Sequence, residues 1–235
     1  MLGAEFCAFR LPDPGEVERA VAVCRQQGTR LAFTTPVARE ALFDRVWTWL
    51  ERAVGEWPGA EVAFNDWGVW HRALEAGLPL RPVAGRLLGR QERGPRVRSQ
   101  MLRVSPPDAR TVRGCAWDDP ACARLLESLG AVRVELDLLP QGVAPPSLPS
   151  GIGLSYCGPW IPVTLSLSCS WTDDPLHCNR PCLQASPVRL ENDEDPSPLW
   201  SRGNTLFVCR EGEPPPRAVS SAGGDRIVWS PEIPG

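Results

Sequence analysis

The chain has 235 residues and no lysine: all 25 basic residues are arginine, set against 28 acidic ones. That absence excludes Schiff-base lysine chemistry and a Walker A phosphate loop, both of which need the amine. Histidine occurs twice, at His71 and His177, and tyrosine once. Neither His-Glu-x-x-His nor Gly-x-Ser-x-Gly is present, so the common signatures of metal and serine hydrolysis are missing. No Gly-x-Gly-x-x-Gly follows a strand-like run, which argues against dinucleotide binding. No apolar run reaches the length of about 18 residues that a membrane span needs, and the opening MLGAEFCAFRLPDPGEVERA lacks the basic and apolar regions of a signal peptide. The expectation is a cytoplasmic protein without a membrane span.

What is present is a composition that folds. With 43% apolar and 23% charged residues the chain is suited to one sizeable domain and is not disordered. The lysine deficit, 26 Pro and 10 Trp read as a compositional bias, so arginine richness by itself is weak support for nucleic-acid binding. Nine cysteines, an odd count in a chain expected in a reducing compartment, point to metal ligands or buried thiols rather than a disulfide framework.

Over the first 90 residues short apolar runs alternate with helical patterns: LGAEFC, GEVERAVAVCRQQG, RLAFTT, PVAREALFDRVWTWLERAV, EVAFND, WGVWHRALEAG. Val17, Ala20, Val21 and Cys24 recur at helical spacing with Gly28 as a stop, and Ala38, Leu42, Val46, Trp49 and Leu50 share a second helix face. LRPVAGRLL predicts a fourth strand, an Arg-rich connection follows, and then come a helix over 119–129 and a fifth strand, AVRVELDLL. The sequence therefore predicts one α/β domain over 1–235, with βα units in 1–140, a Pro/Gly linker at 141–153, and the last strand, a Cys-rich loop and an irregular section in 154–235. WIPVTLSLSC is the sixth strand of this scheme, and NTLFVC and DRIVW are short strand-like runs beyond it. The expected fold is an incomplete or distorted TIM-like (β/α) barrel, with an open doubly wound sheet as the structural alternative.

Cys169, Cys178 and Cys182 are spaced C-x8-C-x3-C directly after the sixth strand. Thiolates hold soft metals, and short spacings let one loop wrap an ion or a cluster. Strand C-termini of a parallel barrel share one face, so Cys7, ending the first strand, is expected to supply a fourth ligand. Asn65 and Asp66, ending the third strand, would belong to the same face as substrate-binding groups, with a helix cap as the bland reading for Asp66. The thiols suit either a 4Fe-4S cluster or zinc, for which His177 is a further legitimate ligand.

The other candidates carry less chemistry. Cys24, Cys157 and Cys209 read as small buried hydrophobes, and Cys115 with Cys122 as a weaker second pair. His71 reads as a packed or surface residue. Residues 81–113 hold nine Arg against Glu92 and Asp108, a solvated face or an anion-binding arm for RNA or a nucleotide. The acidic Glu191, Asp193, Glu194 and Asp195 predict a solvated loop contacting that arm. Trp67, Trp70, Trp160 and Trp171 fall near the expected ligand face, where they would pack or line a planar-substrate pocket.

LGAEFCAFR, the NDWGVW segment, GRLLGRQERGPRV, the Pro-containing strand IPVTLSLSC and the trailing C-x3-C together, in this order over roughly residues 2 to 208, resemble the collagenase-like peptidase family U-32, nearest to its ubiquinone-biosynthesis and RNA-hydroxylation branches. The resemblance implies a distorted TIM-like barrel and a 4Fe-4S cluster on the positions of Cys7, Cys169, Cys178 and Cys182. It further implies oxygen-independent hydroxylation of a quinone precursor or an RNA base. Peptidase activity, despite the family name, gains no support from the residues. The alternative is an adaptor subunit with structural zinc that pairs with another family member, since a barrel short of strands leaves edges open.

Overall fold

The computed structural model describes residues 1–94, 96–101, 103–174, 176–192, 195–210, 219–220 and 222–234. Its first part alternates β1 (Leu2–Gly3), α1 (Pro14–Gln27), β2 (Ala32–Thr34), α2 (Phe43–Glu56), β3 (Glu61–Phe64), α3 (Trp67–Glu75) and β4 (Arg81–Ala84). Local chemistry explains the boundaries. Asp13 and Glu16 form a reciprocal capping box around Pro14, and α1 stops at Gly28, whose φ of 64° is open to glycine at no steric cost. α2 carries Val46, Trp49, Leu50, Ala53 and Val54 on one buried face, and each large side chain there contributes about 1.5–3 kcal/mol of transfer free energy.

The Arg-rich connection contains two further helices, α4 (Arg96–Met101) and α5 (Pro106–Arg113), before α6 (Pro120–Ser128) and β5 (Arg133–Asp137). The chain continues through β6 (Gly153–Gly158), β7 (Trp160–Leu165), the short α7 (Pro181–Gln184), β8 (Val188–Asn192), β9 (Asp195–Arg202), β10 (Thr205–Cys209) and β11 (Arg226–Trp229). Two sheets result. A curled, parallel half-barrel runs β1-β2-β3-β4-β5-β6-β11, and an antiparallel sheet runs β7-β10-β9-β8. Among the described residues no helix is long and apolar enough to cross a membrane.

Three expectations are corrected here. WIPVTL is a strand but not the sixth of the barrel; that place belongs to β6, GLSYCG, inside the stretch read as linker and its flank. Buried on both faces and rich in Gly and Ser, β6 shows no alternation to betray it. The C-terminal section is not irregular, since it supplies a four-stranded sheet and the last parallel strand, β11, which pairs Arg226 with Ser155 and Val228 with Cys157. The acidic segment is not a loop over the Arg-rich stretch. Glu191 lies in β8 and pairs with Arg189 at 3.3 Å, Asp195 begins β9, and Asp193 and Glu194 lie outside the described residues.

The main core lies between the parallel sheet and its helices, around Phe33, Leu50, Val62, Phe64, Leu126 and Val134. A second, smaller core of Phe6, Phe207 and Ile233, flanked by Trp160 and Trp200, joins the antiparallel sheet to the segment after β1. That second core positions the site.

Candidate metal centre

Cys7 follows β1 at the start of a 3₁₀ turn, Ala8–Arg10. Its neighbour Phe6 is buried and meets Phe207 of β10 edge-on at 5.2 Å, a geometry aromatic rings favour. In the β9–β10 turn Asn204 donates from Nδ2 to the carbonyls of Phe6 and Ser166, each at 2.9 Å. Arg39 donates to the Leu167 carbonyl at 3.0 Å, and Arg45 Nε to the Ala8 carbonyl at 3.1 Å. These bonds draw the segment around Cys7 and the loop after β7 to one place.

The consequence is that Cys7, Cys169, Cys178 and Cys182 line a single cavity of about 50 Å³, together with Phe9, Arg10 and Arg180. Cys182 is buried and the other three are half-buried. The predicted convergence therefore occurs, though by a different route. Cys169 follows an antiparallel strand, and the packing of that second sheet on Phe6, not a shared barrel rim, brings it to Cys7. The sulfurs converge without closing: among the described residues no group of three or more His, Cys, Asp or Glu side chains is already arranged to hold an ion.

The thiols act on one another across the cavity. Burial pushes the Cys7 thiol up; the Phe9 amide, donating to its sulfur, offsets this in part, and the charges of Cys178, Cys182 and Cys169 push it further. Cys182 is likewise raised by burial and by Cys169 and Cys178, with Arg10 opposing. Mutual repulsion among four thiolates around one space is relieved when a metal binds them and their protons leave. Arg180, a non-glycine residue at φ 57°, bends the chain between Cys178 and Cys182 so that its amide donates to Cys178 Sγ at 3.3 Å. Arg10 Nη1 is buried and, among the described residues, has no hydrogen-bond partner. Backbone N–H groups that donate to sulfur, as those of Arg180 and Phe9 do here, are the kind of donors that tune an iron–sulfur centre.

The remaining predicted residues fall elsewhere. Asn65, 2% exposed, donates to Thr34 Oγ1 and the Thr35 carbonyl and accepts from the Leu87 amide, and the close approach of Gly85 leaves no room for a β-carbon beside it. Asp66 caps α3 by accepting from Val69 N at 3.0 Å and accepts from Ala38 N at 3.2 Å. Neither lines the cavity. Asp66→Ala should cost about 1–2 kcal/mol in a denaturant titration, and Asp66→Asn less, because the lost bonds are caps.

His71 is exposed beside Glu75 at 3.5 Å, and His177 is exposed with Nδ1 2.9 Å from Asp174. Trp70 is fully buried between Phe64 and Trp67, while Trp160 packs on Trp200. None of the four tryptophans singled out lines the cavity. Cys157 and Cys24 pack in or against the core, and burial pushes Cys115, near Cys122, up to about 12, which keeps its thiol protonated.

Sequence reasoning missed a buried charge network above the sheet. Arg86 donates to Glu5 at 2.5 Å, to Asp137 at 3.0 Å and to the Trp160 carbonyl at 2.9 Å, and Arg93 bonds Asp137 at 2.6 Å. Burial opposes the Arg86 charge, but Glu5 and Asp137 outweigh it and hold the group well above its ordinary value. Two arginines of the Arg-rich stretch are therefore interior charges, not parts of an anion-binding arm. One signal was available: Glu135 and Asp137, two apart in an apolar strand, must share one face.

Comparison of the chain with family models, curated proteins and solved structures finds no match.

Proposed function

We propose that this chain is an iron–sulfur protein of the U32 peptidase-like family, on a TIM-like barrel short of its full strand number, with Cys7, Cys169, Cys178 and Cys182 holding one 4Fe-4S cluster. The observation that supports this reading is the gathering of four thiols on one cavity beside the unpartnered Arg10 N–H. The exposed His177 does not line that space, which favours an all-thiolate donor set. A cluster held there would supply one-electron redox chemistry. Around it Phe6 and Phe9 exclude water, the Phe9 and Arg180 amides donate to sulfur, and Arg10 and Arg180 offset the negative charge of four thiolates. By the family resemblance the activity is oxygen-independent hydroxylation of a quinone precursor or an RNA base.

Within the described residues β1 and β11 each pair with one strand only, so both sheet edges are open. This favours a second reading, an adaptor that holds structural zinc and completes its sheet against a family partner. Anaerobic purification followed by metal, sulfide and native-mass analysis separates the two. About four iron and four sulfide per chain are expected, falling to near zero in Cys169→Ala. One zinc per chain without sulfide would establish the second reading, and iron retained in full by Cys169→Ala would overturn the ligand assignment.

A further inference from the structure

The concave face of the parallel sheet holds a second cavity that none of the four thiols lines. A closed barrel fills its interior with bulky branched side chains. Here β2, β3 and β4 line the interior with the small Ala32 and Ala63 and with Val83, beside Phe33 and Glu61, and a space of about 330 Å³ is left open between them and β11. Glu135 of β5 lines this space at 3% exposure, and among the described residues its Oε2 has no hydrogen-bond partner. An unpaired buried polar atom of this kind is costly unless something pairs with it. Arg226 lines the same space, and Glu61 takes bonds from both of its terminal nitrogens. A guanidinium has five N–H donors, so Arg226 keeps donors for another acceptor.

We propose that this cavity is a binding site for a small organic carboxylate, held between Glu135 and Arg226 with its apolar body against Val83 and Trp229. The inference is independent of the metal centre. Burial, with the charge of Glu5 behind it, pushes Glu135 up to about 8, so at neutral pH it is a carboxylic acid. As an acid it donates O–H to an anion, a short charge-assisted bond, while Arg226 supplies the opposite charge. The other groups facing Glu135 are Arg86, Asp137 and the Cys157 thiol, which burial holds protonated. The adjoining cavity, which shares Ala32, Glu61 and Arg226 with this one, adds Arg30 and Arg81, so three arginines face one carboxylate on the approach. Ionisation of Glu135 places a like charge beside the ligand, and anion affinity therefore falls as pH rises through its titration.

Benzoate is a suitable probe, being anionic throughout the range and flat and apolar beyond its carboxylate. Titrated into the full chain, it should bind saturably at one site and about tenfold more weakly at pH 9 than at pH 7. Glu135→Gln keeps a donor and should bind with no such pH dependence, and Ala63→Leu, which fills the space, should abolish binding while still melting cooperatively. The same results are expected in Cys169→Ala, so failure here is distinct from failure of the metal assignment. Absence of saturation, undiminished binding by Ala63→Leu, or equally tight competition by inorganic phosphate would overturn the proposal, the last by showing that only the outer arginines attract the anion.

Discussion

Arg86→Met is expected to destabilise the folded protein by about 3–5 kcal/mol, the cost of removing one partner from a buried ion pair. The arginine is 3% exposed and its guanidinium lies over the Phe6 ring at 5.2 Å. Removing it leaves Asp137 with Arg93 but strips Glu5, 7% exposed, of the one cation bonded to it among the described residues. Bonds to Glu5, Asp137 and the Trp160 carbonyl also tie the segment before Cys7 to both sheets. Denaturant unfolding of Arg86→Met and of Glu5→Gln/Arg86→Met measures the effect. The double variant should recover a substantial part of the loss, because the penalty lies mainly in an uncompensated charge. If the double variant is as unstable as the single one, packing and not charge carries the cost. Since Glu5 and Cys7 share one short segment, iron retention should fall in Arg86→Met and return with the double substitution.

The pH dependence of stability should carry the signature of Glu135. Its carboxyl titrates near 8 in the folded chain against 4.5 as an ordinary side chain. Between those values the folded state binds more protons than the unfolded one, so stability falls as pH rises through that window, by on the order of several kcal/mol in total. Two acids act oppositely. Hydrogen bonds from Arg226 hold Glu61 below its usual range, and a bond from Arg133 does the same for Asp225, so their contribution is present at neutral pH and lost as pH falls. Denaturation midpoints measured from about pH 5 to 8, above the range in which Glu61 and Asp225 lose their contribution and below that in which the buried thiols ionise, should show the decline towards alkaline pH in the parent chain and a flatter profile in Glu135→Gln. A Glu135→Gln profile that declines as steeply as the parent's would place the responsible proton elsewhere.

Much of the fold was legible because local rules and tertiary packing agree. α1 to α3 show apolar residues at helical spacing, with Asp13 and Asp66 as caps, and β2 to β4 are short apolar runs between them. Of the four cysteines that line one cavity, Cys169, Cys178 and Cys182 stood out by type and short spacing, and Cys7 by its place at the end of a strand-like run. Their meeting point was inferred from a barrel rim that Cys169 does not occupy. The segment 153–165 looks like a single loop and strand, yet at the cis Gly158–Pro159 bond the chain leaves one sheet and enters another. Nothing in the spacing of GLSYCG or DRIVW states that these runs, separated by the antiparallel excursion, lie side by side.

The amino-acid order alone determined the alternation of strand and helix, the lack of lysine and of the Gly-x-Ser-x-Gly and Gly-x-Gly-x-x-Gly signatures, and the set of thiols available to one loop, because each depends on residue type and on spacing along the chain. Tertiary structure alone decided that Phe6 packs on Phe207, that Arg86 meets Glu5 and Asp137, and that Glu135 faces a space the small side chains of β2 to β4 leave open. Those contacts join residues up to about 200 positions apart. Their partners are chosen by burial and pairing in three dimensions, for which a one-dimensional pattern carries no period.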